Sequence, residues 1–297
     1  MMLPKALRWF NTDARHYQMT CQSTLFLYGC LFLGFDVPWW LPAAFIGTTL
    51  TTQYLFTKAL GLPHFDFRSP LISGLSLCLM LRTDTIPLAI FCAALGIASK
   101  FMIRWRGKHI FNPTNFPIVF ALLFLDGVWV SPGQWGSAVW VAFLIACLGA
   151  MVVTRATRSD TALAVIGFHA AILFGRALYL GDPLAIPLHQ LQSGTLLVFA
   201  FFMISDPKTT PYSRPGRILF ALLVCLVAGW IQFGLFRPNG LLFGLAACSP
   251  LVPLIDFVLP GPAYRWDRAS NQTKGMSHET STTPSGLGGL PLPHGAR

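Results

Sequence analysis

Acidic residues are scarce in this chain of 297 residues. Eleven Asp and Glu stand against 21 Lys and Arg, and the one glutamate is Glu279, near the C-terminus. Charge of either sign makes up 11% of the residues, where a soluble domain carries about 25%. The aspartates fall in loops or near the ends of apolar runs. No carboxylate therefore sits mid-span, the usual station for one in proton and sodium pumps. There is no P-loop, GxGxxG, zinc motif or nucleophile elbow, so the chain alone offers no ATP-driven transport. None of the seven cysteines forms a C-x-x-C pair. They lie in or beside apolar segments and read as small core residues, with no metal site expected.

What is abundant is apolar surface. Hydrophobic residues are 54% of the chain and mean hydropathy is +0.59. Apolar runs recur from Thr24 to Leu259, the pattern of a polytopic membrane protein. They are apolar on all sides, which suits helices and not the alternating strands of a barrel. The first run, Thr24 to Leu33, resembles a signal peptide, but Phe35-Asp36-Val37-Pro38-Trp39-Trp40 follows instead of a small-residue cleavage site, so a retained helix is expected. Segments are predicted at about 21–36, 38–58, 70–82, 86–104, 113–127, 136–154, 161–180, 190–204, 217–236 and 239–258. The third, fifth and eighth are short for a full span of roughly 20 residues.

Two stretches echo each other. Ser73-Gly74 opens a short apolar run and is followed later by Phe111-Asn112-Pro113-Thr114-Asn115. Ser193-Gly194-Thr195 opens another, and Phe236-Arg237-Pro238-Asn239-Gly240 follows it. Matched, short, Gly/Pro-bounded segments in two halves of a chain point to a transporter-type site between repeats. With the N-terminus in the cytoplasm, only Arg82, Arg176 and Arg237 of the 21 basic residues fall on the outer side. The net charge of +10 thus serves topology, and nucleic acid is not expected as a partner.

The expected fold is an all-α integral membrane protein of about ten transmembrane helices in two inverted five-helix repeats with short or broken helices. It would be multi-pass in the cell (inner) membrane, with both termini cytoplasmic. Residues 1–20 are expected to form a cytoplasmic N-terminal segment. Residues 21–264 form the membrane domain, with repeat 1 at about 21–127 and repeat 2 at about 136–258. Residues 265–297, rich in Ser, Thr, Gly and Pro, are expected to be a disordered cytoplasmic tail.

Candidate ligand-binding residues follow from the repeat. A helix starting within the membrane offers free N–H groups and a positive dipole end. Ser73, Gly74, Ser193, Gly194 and Thr195 are such openings, suited to a phosphate, carboxylate or flavin edge; ordinary capping and close packing is the other reading. Asp206 lies beyond the second short helix, as ligand contact or turn residue. Asn112 and Asn239 sit at helix-opening turns, either as caps or in the manner of the paired Asn-Pro turns of aquaporins. His169 and Arg176 share one helix face. An ionisable residue in a span is a functional candidate, although packing for the histidine and snorkelling for the arginine explain both.

Several stretches together resemble one family. Phe201-Phe202-Met203-Ile204-Ser205-Asp206-Pro207-Lys208-Thr209-Thr210 is similar to its F-x-x-T-D-P-x-(T/S) segment. Lys108-His109-Ile110-Phe111-Asn112-Pro113 resembles its F-N-P-A segment, Ser73-Gly74-Leu75 with Pro87 its T-G-L-L…P segment, and Val252-Pro253-Leu254-Ile255-Asp256 its V-P-L-I-D ending. The family is NqrB/RnfD, membrane subunits of sodium-pumping NADH:quinone and ferredoxin:NAD oxidoreductases. This chain looks like a divergent, standalone branch, similar to the UnbU-type proteins encoded beside enediyne biosynthesis genes. The resemblance implies electron transfer or coupled transmembrane transport, the lipid membrane and other redox-complex subunits as partners, and FMN or another flavin as ligand. In that family FMN is esterified to a threonine in the loop after the fifth segment. Here the loop, residues 125–136, contains no threonine, so the flavin is expected to bind non-covalently. The competing expectation is a channel or facilitator for a small solute or natural product.

Overall fold

The computed structural model describes residues 13–136 and 139–264. The first helix, α1 (Ala14–Phe32), starts well before residue 21, because Asp13 caps it: its carboxylate accepts the Arg15 amide at 2.9 Å. Asp13 and Asp66 also bind the guanidinium groups of Arg15 and Arg68, tying the start of α1 to the start of α3. Helices α2 (Trp40–Ala59), α3 (Arg68–Met80) and α4 (Ile86–Met102) follow, then α5 (Asn115–Phe124) and α6 (Val139–Arg155). Next come α7 (Ser159–Leu180), α8 (Ala185–Leu191) and α9 (Gly194–Val198), which continues as a π-helical turn over Phe199–Met203. The last are α10 (Arg214–Gly229), with its own π-helical turn over Trp230–Gly234, α11 (Gly240–Cys248) and α12 (Val252–Val258).

Helix therefore lies in each stretch where a segment is expected. Among the described residues three helices are long and apolar enough to cross a bilayer: Ser159–Leu180, Arg214–Gly234 and Gly240–Val258. Ala185–Leu191 with Gly194–Met203 makes a fourth if the pair, bent by 46°, is one span. The chain is an integral membrane protein, with a core of fully buried Leu25, Leu41, Phe45, Leu77, Ile118, Phe199 and Phe220.

Three details depart from the sequence reading. The all-α expectation misses two short antiparallel pairs. One is β1 (Leu81–Thr83) with β4 (Val128–Val130), in register Leu81 to Val130; the other is the hairpin β2 (Arg104–Trp105) and β3 (Lys108–His109). Both join stretches between helices, where backbone groups need partners the helices do not supply. Ser73-Gly74 does not open its helix either. Helix α3 begins at Arg68, whose amide donates to the Asp66 carboxylate at 3.2 Å, and Pro70 is tolerated in the first turn. Ser73 sits a turn further in and donates to the Ser69 carbonyl at 3.2 Å. Of the seven cysteines, Cys147 is exposed and so is not a core residue, and all seven are free thiols. The predicted tail, 265–297, and most of the N-terminal segment lie outside the described residues.

Candidate functional site

Two cavities lined by polar side chains stand one at each end of the helix formed by α9 and its π-helical turn. The first has a volume of about 300 Å³ and meets the far end of that helix at Phe202 and Asp206. Its other walls are Gln53 of α2, Ser69, Ser73 and Ser76 of α3, Lys100 of α4, Arg104 and His109 of the hairpin, and the Asn112 turn. Lys100 is 5% exposed; its ammonium donates to Gln53 Oε1 at 2.9 Å and Ser69 Oγ at 2.8 Å. Arg104 turns back to donate through Nε to the Lys100 carbonyl. The His109 ring lies beside the same carbonyl, Nδ1 to O 2.9 Å. Burial, then the charges of Lys100 and Arg104, push the His109 pKa down to about 3, so the ring is neutral. Burial also raises the Asp206 carboxyl above its usual range, against the hydrogen bond it accepts from the Lys208 amide at 3.0 Å.

The second cavity, also about 300 Å³, meets the near end of the same helix at Ser193, Thr195 and Phe199. It is completed by His169 of α7, Gln190 of α8, Gln232 of the π-helical turn after α10, and Asn239 with Leu241 and Leu242 of α11. No Asp, Glu, Lys or Arg among the described residues lines it. His169 is 5% exposed and its Nδ1 has no hydrogen-bond partner among the described residues. Asn239 adopts the left-handed region at φ 62°, which asparagine tolerates, and its carbonyl accepts the Leu242 amide at 3.0 Å. Gly240 is required beside it, since a Cβ there would stand 2.5 Å from the Ala228 carbonyl.

The sequence-predicted residues thus separate into two groups. Ser73, Asn112 and Asp206 line the first cavity; Ser193, Thr195 and Asn239 line the second. Gly74 and Gly194 line neither. A Cβ on Gly74 would lie 2.9 Å from Thr49 Oγ1, and one on Gly194 would lie 2.5 Å from Trp135 Cγ, so both glycines let neighbouring elements approach closely. Asn112 does cap: its Oδ1 accepts the Thr114 amide at 2.9 Å and the Asn115 amide at 3.0 Å, while its Nδ2 reaches the Met203 carbonyl at 3.1 Å. Lys100, Gln53, Gln190 and Gln232 join the two sites without having been singled out by sequence. Lys100 does carry a signal: it lies in the last turn of an apolar helix and not past its end. The glutamines carry none.

Three of the motif segments converge on Lys108. Its ammonium donates to Asp256 Oδ2 at 2.7 Å and to the Thr210 carbonyl at 2.6 Å, and it lies 3.7 Å from the centre of the Tyr212 ring. Asp256 Oδ1 accepts the Tyr212 amide at 2.7 Å. Asn115 Nδ2 donates across to the Leu242 carbonyl at 3.0 Å. The motif residues therefore fasten the first part of the chain to the second.

The family model described as "NQR2, RnfD, RnfE family" matches residues 113–264. Curated relatives cover shorter stretches. The D-type component of the ion-translocating oxidoreductase complex of Stutzerimonas stutzeri is 41% identical over 81 residues, 26% of this chain and 22% of that protein. The protein of the same name from Citrobacter koseri is 38% identical over 80 residues, 27% and 23% of the two chains. That of Psychromonas ingrahamii is 34% identical over 99 residues, 33% and 27%. The chain thus matches about a quarter of the length of these relatives.

Proposed function

The chain belongs to the NQR2, RnfD, RnfE family, and from that premise we propose that it is a membrane subunit of an ion-translocating electron-transport complex, holding a flavin-type ligand non-covalently in the second cavity. The observation that carries this reading is the orphaned Nδ1 of buried His169, in a cavity whose other polar groups are neutral amides and hydroxyls. A buried ring nitrogen without a partner costs free energy that a bound ligand recovers. Gln190, Gln232 and Asn239 bring carboxamides, each both donor and acceptor, which match the alternating carbonyl and imide edge of a flavin ring. Phe199, Leu241 and Leu242 supply the apolar contact that excludes water. His169 serves that edge as donor or acceptor according to its tautomer. A flavin held there supplies one- and two-electron exchange. Covalent attachment does not fit: the loop after α5 has no threonine, and its Gln134 is committed to Arg82 at 2.6 Å and to the Leu79 carbonyl at 2.5 Å.

The proposal includes the finer architecture: two inverted five-helix repeats over about 21–127 and 136–258, both termini cytoplasmic, in the inner membrane and beside other redox subunits. Support comes from the matched Ser/Asn pairs, Ser73 with Asn112 and Ser193 with Asn239, lining cavities at opposite ends of one helix. Reporter fusions after Lys108, Arg158 and Arg217 should read cytoplasmic, and fusions after Asp36, Gly133 and Asp182 external. A cytoplasmic signal at Gly133 breaks the inverted arrangement.

The decisive measurement for the ligand is the visible spectrum of the purified protein. Flavin absorbance that acid precipitation releases into the supernatant is expected, and His169→Phe or Gln232→Leu should lower the flavin content with the fold intact. A colourless, folded preparation removes the redox reading and leaves the facilitator.

A further inference from the structure

The first cavity differs in chemistry from the second. Its lining carries four cations, Arg15, Lys100, Arg104 and Lys208, and two carboxylates, Asp66 and Asp206. Asp66 is bound to Arg15 and Arg68, and enlarging the count to include Arg68 and Asp13 leaves the same surplus of two positive charges. Lys100 carries most weight. It is 5% exposed, both of its hydrogen-bond acceptors are uncharged, and no carboxylate of the described residues lies within ion-pair distance. Buried charges are ordinarily paired, and an ammonium has three donors, of which two are used here. Arg104 is exposed at the same mouth, and its terminal nitrogens donate to no described residue. Burial is the main cause of the low His109 pKa, and the charges of Lys100, Arg104 and Lys208 add to it.

The geometry points to the first cavity as a binding site for a phosphate-type dianion, with Lys100 as its buried contact and Arg104 closing over it at the mouth. Lys100 and Arg104, neither of them in an ion pair with a described residue, together match an anion of about two negative charges, and arginine and lysine together are the usual phosphate partners. The dianion comes either from a water-soluble phosphate or from the headgroup of a phosphatidate-like lipid. This site does not depend on a flavin in the second cavity, and flavin content and phosphate binding are read separately.

The test uses the full chain in neutral detergent and in phosphatidylcholine nanodiscs. Inorganic phosphate is titrated by calorimetry, and nanodiscs with and without phosphatidic acid are compared for thermal stability. Binding of inorganic phosphate identifies the soluble source. Stabilisation by phosphatidic acid alone identifies the lipid source. Lys100→Gln should weaken either by about tenfold or more. Because Lys100 is buried and its variant risks misfolding, Arg104→Gln, at an exposed position, provides the second arm and should weaken the same ligand several-fold with unchanged thermal stability. Absence of a response to both probes overturns the proposal, as does binding that both variants retain in full.

Discussion

Removing the Lys108 ammonium should loosen the joint between the two parts of the chain more than any surface charge would. The side chains of Lys108 and Asp256 are 9% and 13% exposed, and the pair is 2.7 Å apart. Breaking a buried pair costs roughly 3–5 kcal/mol, because the surviving charge is left without its partner. Two features bring Lys108→Met toward the lower end. Asp256 keeps the Tyr212 amide, and both groups retain slight contact with solvent. Against this, the Thr210 carbonyl loses its donor and the Tyr212 ring its cation. The expected loss is about 3 kcal/mol, the lower end of that buried-pair range. Asp256→Asn retains an acceptor for Tyr212 and should cost less. In the double variant no charge is left stranded, so its loss should fall short of the sum of the singles by about 1–2 kcal/mol. Equilibrium unfolding in mixed micelles reads all four proteins. If Lys108→Met stays within about 0.5 kcal/mol of the parent, or the two losses simply add, the fastening argument is refuted.

Acid should destabilise the protein in two stages. The His109 pKa is pushed from 6.5 down to about 3, so between those values the unfolded chain takes up a proton that the folded chain refuses. Stability is full above the unfolded value and falls as pH drops through that window, by at most about 1.4 kcal/mol per pH unit. His109→Gln should flatten this slope when unfolding is measured against pH. For Asp13 and Asp66 burial is the largest single influence and raises the pKa, but bonds and charges from Arg15 and Arg68 together outweigh it and hold both carboxyls low. Their contribution is present above the unfolded value and lost as pH falls through the folded one, so the parent and His109→Gln should share a second loss under stronger acid. Gly194→Leu and Gly74→Leu should both lower thermal stability by roughly 1–3 kcal/mol, since Trp135 and Thr49 occupy the space a side chain needs. A variant that loses ligand while keeping parental stability would return these glycines to the binding site.

The helical layout is legible in the sequence because hydrophobic run length and proline position are strong, local signals. The start of α7 near Thr161 and the opening of α11 at Asn239-Gly240 are examples. What cannot be read is anything that depends on a distant partner. Nothing near Asp66 announces that it supports the start of α3, so the letters point to Ser73 as a helix opening when it is not one. The bend of 46° between α8 and α9 falls where Gly194 packs against Trp135, a residue some sixty positions away. The candidate site shows the same division. Its serines and asparagines stand out because they repeat. Lys100 is marked only by its place in the last turn of α4, because burial is a property of the packed bundle and not of a run of letters.

The wide turn over Phe199–Met203 has a consequence for how this chain tolerates changes of length. Each residue advances an α-helix by about 100°, so an inserted residue absorbed as a π-helical turn rotates everything on one side of it by that amount. Deleting one residue there would give a more regular helix but the wrong phase. If Ser193 and Thr195 kept their wall, Asp206 and the Thr210 carbonyl that Lys108 holds would be turned aside. The phase of this one helix is what keeps a neutral chamber at one end in step with a charged chamber at the other.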